Sequence, residues 1–314
     1  MRCSRRSPGS SHKVAAVITA PFSIDRRAVM RAFSRAAPDY EAAARLERRV
    51  RAELLDRLQF FPLKPAQVLD LGAATCESTR QLHERFPRAQ VLAVDLTEAM
   101  LRAAPETRWP WQRAGFARVC ADAAALPLRA QSVDLIFSNL MLQWCDRPQV
   151  VFEEFVRVLR PGGLLLFSTF GPDTLGELRA AWAAADDGSH VSAFADMHEL
   201  GNGLMQAGLA EPVLDVEHHR LHYADARALM RELKLLGARN AAHDRARGLT
   251  GRRHLDRMLT AYEGVREEKG LPATFEVISG AAFADDGTSH AGRHSPHQRG
   301  EFAIPVTAIR SARR

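Results

Sequence analysis

The chain has 314 residues, of which 46% are hydrophobic and 25% charged, the proportions of an ordinary globular protein with one large domain or two small ones. Its net charge of +6 favours an acidic partner or substrate. No run of like charge is long enough to indicate nucleic-acid binding by itself, so the composition does not favour a nucleic-acid-binding protein.

We expect residues 1–24 to form a flexible N-terminal extension. The apolar run Val14–Ala20 is too short to span a bilayer and matches a secretory signal poorly. The cysteines are scattered, with no CxxC pair and no histidine at metal-ligand spacing (Cys3, Cys76, Cys120 and Cys145). Scattered thiols without a signal peptide indicate a reducing compartment, so we predict a cytoplasmic protein without a metal site.

The first predicted helical region runs from Asp25 to about Leu58. Large apolar residues recur in it every four positions, with charged residues between them (Leu46, Val50, Leu54 and Leu58). Pro62 and Pro65 close the region, because proline does not continue a helix.

Five short apolar runs then alternate with helical stretches. The runs are Gln67–Leu71, Val91–Val94, Arg118–Cys120, Val133–Ser138 and Leu164–Ser168. Such alternation is typical of a parallel sheet with helices on both faces, which is the fold class we predict. The segment Arg160–Gly163 predicts a turn, since Pro161 ends the preceding helix and Gly162 accepts positive φ.

Beyond Phe170 the pattern is mainly helical. We predict helices at Asp173–Ala184, Phe194–Ala207, Ala226–Leu236 and Arg253–Glu268, and strands at Val213–Tyr223 and Thr274–Gly280. One domain then spans residues 25–283, and residues 284–314, rich in Gly, Ser and His, form a mobile tail. No acidic or thiol partner stands near the tail histidines, so we predict no metal there (His290, His294 and His297).

Acidic residues follow the first two predicted strands. Asp70 and Gly72 end the first strand, and Asp95 ends the second, 25 residues after Asp70. In an open parallel sheet, ligands bind at the carboxyl ends of the strands, where a glycine turn lets a cofactor approach the backbone. An acidic residue at the end of the second strand can accept hydrogen bonds from ribose hydroxyls. The alternative is that Gly72 only makes a tight turn and Asp95 only caps the next helix.

Two later strand ends add to this pattern. Asp122 follows the third strand, where its carboxylate can accept from an adenine amino group, and Asn139 follows the fourth. Together with Arg160–Gly163 this set resembles the Rossmann-like S-adenosylmethionine-dependent methyltransferases over residues 25–283. The resemblance implies that S-adenosylmethionine binds at eight positions: Asp70, Gly72, Ala74, Asp95, Leu96, Asp122, Ala123 and Asn139.

More specific stretches indicate a family within that class. They are residues 31–37 with Tyr40, 138–145, 167–175 with 177–179, 190–191 with Phe194, 233–234 with 237–238, and 271–277. These stretches resemble malonyl-acyl-carrier-protein O-methyltransferases, which implies methylation of the free carboxylate of a malonyl thioester, an early step of biotin synthesis. The resemblance also implies lid helices over 25–62, a helical cap over about 224–270, and an acidic carrier protein as partner, with no nucleic acid or membrane and a monomeric state.

A carboxylate is ionised at neutral pH, so this reaction needs no general base and we predict no catalytic dyad. It needs groups that orient the carboxylate, for which arginine is the best suited. The predicted substrate residues are Tyr40, Arg35, Gln143, Trp144, Phe170, Arg179 and His190, and Lys234 is a further candidate cation. If the carrier protein is the partner, we also expect basic residues beside the pocket mouth, at Arg227, Arg231, Arg252 and Arg253.

The sequence departs from the family at the loop after the first strand. The family usually has Gly-x-Gly-x-Gly there, whereas this chain keeps Gly72 and has Ala74 and Cys76 at the other two positions. An L-residue at positive φ is strained by about 1 kcal/mol. We favour an active enzyme with weakened cofactor affinity over two alternatives. One is a non-catalytic binding or assembly protein, or a relative that catalyses another reaction, on the same fold; the other is a methyltransferase for another small metabolite.

Overall fold

A single sheet organises the part of the chain that the computed structural model describes, which is residues 24–104, 115–243, 245, 248 and 250–287. Its strands are β1 (Gln67–Leu71), β2 (Gln90–Asp95), β3 (Phe116–Cys120), β4 (Val133–Ser138), β5 (Leu159–Phe170), β6 (Leu209–Tyr223) and β7 (Leu271–Ala284). They lie in the order β3-β2-β1-β4-β5-β7-β6. The neighbouring pairs from β3 to β5 are parallel, and β7 is antiparallel to both β5 and β6.

Helices connect these strands. They are α1 (Arg26–Ala36), α2 (Tyr40–Ala43), α3 (Arg45–Arg57), α4 (Glu77–Arg85), α5 (Glu98–Ala103), α6 (Pro148–Val158), α7 (Gly176–Ala183), α8 (Met197–Ala207), α9 (Ala226–Leu235) and α10 (Arg252–Glu263). Several begin at an aspartate that accepts a hydrogen bond from a first-turn amide; Asp225, for example, accepts from the Ala228 N–H at 2.7 Å before α9.

The core lies on both faces of the sheet. On one face Leu54 of α3 and Leu82 of α4 pack against Val68 of β1 and Phe137 of β4. On the other face Phe152 of α6 and Leu204 of α8 pack against Leu69 and Ile136 of the same two strands. Successive side chains of a strand point to opposite faces, so strands covered on both faces read as continuous apolar runs.

The predicted fold class is confirmed, including the helices inserted before the last strand. The insertion is α9 and α10 with the segments around them, between β6 and β7. Leu229 of α9 and Met258 of α10 are fully buried in one cluster with Leu178 of α7 and Val277 of β7. The cap is thereby held against β7 and α7.

Several predicted boundaries are wrong. The helical region Asp25–Leu58 is three helices, interrupted near Pro38 and at Ala44. Proline does not continue a helix, which accounts for the first interruption. The helix predicted over Arg253–Glu268 ends at Glu263, and the strand predicted over Thr274–Gly280 extends to Leu271–Ala284.

Arg160–Gly163 is assigned to β5 rather than to a separate turn. Gly162 nevertheless has the expected positive φ of 74°, and the register jumps from Val133↔Leu159 to Leu135↔Leu164, so these residues bulge out of the ladder. Within the described ranges we find no helix long and apolar enough to cross a membrane. Residues 1–23 and 288–314, with the tail histidines, lie outside the described residues, so both terminal predictions stay predictions.

Candidate active site

The carboxyl ends of β1 to β4 open onto one cleft of about 1260 Å³, counting its space open to solvent. The opposite wall is made by Val29 and Phe33 of α1 and by Leu236 and Ala238 after α9. Most of the residues predicted from the sequence line this cleft: Tyr40, Gly72, Ala74, Asp95, Leu96, Asp122, Ala123, Asn139, Gln143, Trp144 and Phe170. The structure therefore collects residues from distant parts of the chain at the edge where α/β sheets bind ligands.

The loop after β1 keeps a left-handed backbone at three positions. Gly72 has φ +77°, and a Cβ on it would lie 2.5 Å from Met141 Cβ, so only glycine fits. Ala74 and Cys76 have φ 46° and 62°. The loop thus has the left-handed backbone of a glycine-rich turn although two of the three positions are not glycine, and the backbone at Ala74 and Cys76 is strained.

The two substituted side chains point to different places. The Ala74 methyl group belongs to a residue that lines the cleft, whereas Cys76 is buried in an apolar cluster with Ala73, Ala93 and Leu101. Burial raises the pKa of the Cys76 thiol to about 12, so it stays neutral. Neither side chain fills the cleft, and the loop remains open to a ligand.

Asp70 does not line the cleft. Its carboxylate is buried and accepts hydrogen bonds from the hydroxyls of Ser78 and Thr79 in the first turn of α4. Burial raises the pKa of Asp70 to about 6. Asp70 therefore holds β1 to the start of α4, and its predicted role in cofactor binding stays a prediction.

Asp95 and Asp122 stand at the ends of neighbouring strands. Asp95 accepts the N–H of Thr97 at 2.7 Å and the N–H of Ala74 at 3.0 Å, which ties the loop to β2. Burial raises the pKa of Asp95. Asp122 pairs with Arg26 of α1 at 2.5 Å, so a residue that the sequence did not single out reaches the predicted adenine position. An ionised carboxylate has about four acceptor sites, which leaves both groups free to bind a ligand.

Asn139 joins three elements at the end of β4. Its Oδ1 accepts from the Ser168 hydroxyl at 2.9 Å, and its Nδ2 donates to the backbone carbonyl of Glu47 on α3 at 3.2 Å. Glu47 itself lines the cleft. Sequence reasoning missed Glu47, because an isolated glutamate on an amphipathic helix has the same pattern as a neighbour outside the cleft such as Glu53.

Aromatic and amide groups form the far end of the cleft. Trp144 packs edge-on against Phe33 at 5.1 Å, and Phe170 contacts Phe275 at 5.8 Å between ring centroids. The Gln143 side chain donates to the Leu140 carbonyl at 2.7 Å and accepts from Thr169 at 3.2 Å. Burial raises the pKa of Tyr40 well above its usual value, so its hydroxyl stays protonated and can donate.

Three predicted substrate residues are not part of the cleft lining. Arg35 is exposed in the last turn of α1. Arg179 donates to the backbone carbonyls of Pro172, Thr174 and Ser192, and His190 stacks on Trp182 at 3.8 Å while bonding Asp186 at 2.7 Å. Their roles toward substrate stay predictions, and their observed contacts are structural. Among the described residues, the cations that line the cleft are Arg26 and Arg147.

Exposed cations lie on α1 and α9, two helices that contact each other; Val29 and Phe33 of α1 and Leu236 after α9 line the cleft. We call the basic face the set formed by Arg27, Arg31 and Arg35 on α1 with Arg227, Arg231 and Lys234 on α9. Their spacing of three or four residues places each trio on one side of its helix. Gly237, just after α9, lies against Phe33 of α1, where an added Cβ would be 3.2 Å from Phe33 Cα. Arg252 and Arg253 are exposed at the start of α10, which contributes nothing to the cleft.

Comparisons with known proteins agree with this geometry. A family model described as a methyltransferase domain matches residues 69–167. The malonyl-[acyl-carrier protein] O-methyltransferase of Gallionella capsiferriformans is 46% identical over 83% of this chain and 92% of its own length, and that of a Methylovorus species is 47% identical over 83% and 90%. A solved structure from Bacillus halodurans, 17% identical, superposes with a TM-score of 0.53 over 74% of this chain and 99% of its own, which shows a shared fold.

Proposed function

The chain belongs to the malonyl-[acyl-carrier protein] O-methyltransferase family, and from that premise we propose that it methylates the free carboxylate of a malonyl thioester on acyl carrier protein, early in biotin synthesis. It is an S-adenosylmethionine-dependent methyltransferase. The observation that carries the proposal is the cleft itself, in which Gly72, Asp95, Asp122 and Asn139 meet at the ends of four neighbouring strands.

The reaction is a displacement at carbon. A carboxylate oxygen forms a bond to the methyl carbon, the carbon–sulfur bond breaks, and sulfur keeps the electron pair, giving a methyl ester and S-adenosylhomocysteine without proton transfer. The protein therefore has to position the carboxylate in line and remove water from it. Aromatic residues around Trp144 and Phe170 suit the second task, and the neutral donors Tyr40 and Gln143 suit the first.

We assign the cofactor by the strand order. Asp122 at the end of β3 is placed to accept from the adenine amino group, Asp95 at the end of β2 from ribose hydroxyls, and Gly72 lets the cofactor approach the backbone of β1. The fit is supported by the left-handed loop and by the spare acceptor sites of both aspartates. Leu96 and Ala123, next to these aspartates, line the same wall.

We propose acyl carrier protein as the partner and the basic face as its docking surface. Leu236 and Ala238, which line the cleft, follow α9, the helix that carries Arg227, Arg231 and Lys234. An acidic carrier protein docked there would have its thioester arm beside the cleft, and complementary charge mainly speeds such encounters. We also propose a cytoplasmic monomer, with one catalytic domain over residues 25–283 that includes the lid helices and the cap.

The test is methyl transfer by the purified protein to malonyl-acyl carrier protein, followed by mass spectrometry of the thioester. We expect the double variant Arg231→Glu/Lys234→Glu to raise KM for malonyl-acyl carrier protein about tenfold and to leave malonyl-pantetheine unchanged. The matched control is Arg88→Glu, an exposed reversal before β2 at the opposite edge of the sheet. Activity on malonyl-coenzyme A alone, or on another metabolite only, would refute the carrier-protein proposal.

A further inference from the structure

One carboxylate oxygen in the cleft has no hydrogen-bond donor among the described residues. Glu47 lines the cleft from α3, and its Oε2 atom is buried with no hydrogen-bond donor among the described residues. Burial, with repulsion from Glu232 and Glu41, raises the pKa of Glu47 to about 7. An ionised group left in this state is unfavourable unless a cation reaches it.

The position of Glu47 along the cleft is set by its contact with Asn139. Its backbone carbonyl accepts from the Asn139 side chain at the end of β4. In the sheet β4 lies on one side of β1, and β2 and β3 lie on the other side. Glu47 therefore lies on the β4 side of the cleft, whereas Asp95 and Asp122 follow β2 and β3.

This inference rests on the proposed function. A cofactor with its adenine at Asp122 and its ribose at Asp95 extends its methionyl part past β1 toward β4. That part ends in an α-ammonium and an α-carboxylate. We propose that the Glu47 carboxylate binds the α-ammonium group of S-adenosylmethionine and is the counter-charge that selects the amino-acid end of the cofactor.

The surrounding charges leave this role open for a ligand. Glu232 of α9 and Glu41 of α2 add negative electrostatic potential at Glu47, and Arg48 of α3 adds positive potential. Asp95 and the neutral Tyr40 share the cleft. Glu41 and Glu232 are already engaged by Thr75 and by Arg45, whereas the Oε2 of Glu47 is not.

Two consequences follow. Binding of the ammonium stabilises the ionised carboxylate, so Glu47 releases protons when the cofactor binds near pH 7. A free Glu47 carboxylate would also repel the malonyl carboxylate that has to enter the same cleft. We therefore expect the malonyl thioester to bind more tightly once the cofactor is in place.

The experiment is calorimetric titration with two probes, S-adenosylhomocysteine and 5′-methylthioadenosine, which lacks the amino-acid end. We expect Glu47→Gln to raise the Kd of S-adenosylhomocysteine at pH 7.5 about tenfold and to change that of 5′-methylthioadenosine less than twofold. Titrations between pH 6 and 7.5 in buffers of different ionisation enthalpy should show less proton release in the variant than in the wild type. Glu53→Gln, further along α3 and outside the cleft, is the matched control.

The outcomes separate this inference from the proposed function. Equal weakening of both probes, or proton release as large in Glu47→Gln as in the wild type, would overturn the role of Glu47 while leaving a cofactor site. If neither probe binds to the folded wild type, the proposed function fails first, and this inference fails with it.

Discussion

The strained loop after β1 predicts that replacing alanine by glycine stabilises the protein at Ala74, whereas the same replacement within a helix destabilises it. Ala74→Gly removes a methyl group from a residue at φ 46° that lines the cleft. Relief of the left-handed conformation is worth about 1–2 kcal/mol, and the added freedom of glycine in the unfolded chain offsets about 0.5–1 kcal/mol. We expect a net gain of about 0.5–1 kcal/mol in the free energy of unfolding.

The same change should act on binding by another route. The strain is present with and without ligand and so cancels in the Kd, but the methyl group stands where the cofactor approaches the backbone. We expect the Kd of S-adenosylhomocysteine to fall up to tenfold, about 1.4 kcal/mol. Cys76→Gly relieves similar strain but empties a buried cluster beside Leu101, so it should change stability by no more than about 1 kcal/mol and leave the Kd unchanged.

The assay is urea unfolding together with calorimetric titration, and the matched control is Ala52→Gly. Ala52 is exposed within α3, where glycine should lower stability by about 1 kcal/mol. The reasoning is refuted if Ala74→Gly destabilises the protein as much as Ala52→Gly does. An unchanged Kd with a raised stability would show that the methyl group does not meet the cofactor.

Three further predictions concern single side chains of the site. Because the pKa of Asp70 is raised to about 6, its favourable contribution to the free energy of unfolding is present below about pH 4 and is lost as the pH rises to about 6. In urea unfolding, the free energy of unfolding of Asp70→Asn should therefore rise by up to about 3 kcal/mol relative to wild type between these two pH values; a difference that does not change with pH would contradict this. Asp122→Asn should raise the Kd of S-adenosylhomocysteine about tenfold in calorimetric titration. Arg26→Ala should change this Kd less than threefold, because Arg26 is exposed and its ion pair with Asp122 contributes little; a larger rise in Kd for Arg26→Ala would show that Arg26 binds the ligand. Tyr40→Phe should lower kcat/KM for the malonyl thioester about tenfold without changing cofactor Kd, measured by initial rates and calorimetry, and unchanged rates would remove Tyr40 from the substrate site.

Much of the fold was readable from the sequence because its signals are local. Apolar runs such as Val133–Ser138 predict strands buried on both faces, and each observed strand from β1 to β5 overlaps a predicted run. Boundaries failed where single residues decide them, as at Ala44, which separates α2 from α3 without a proline or glycine. The carboxyl ends of β1 to β4 were also predictable, since residues that follow parallel strands meet at one edge.

What the sequence determined by itself is the fold class, the family and the strand-end residues Gly72, Asp95, Asp122 and Asn139. Only the tertiary structure decided which helical side chains face the cleft. Glu47, Arg26 and Arg35 look alike in sequence, as charged residues on amphipathic helices near the amino terminus. The packing of α1 on α5 and α9, and of α3 on β5, places Glu47 and the exposed Arg26 at the cleft and Arg35 away from it, because the rotation of a helix about its axis is fixed by its contacts with other elements.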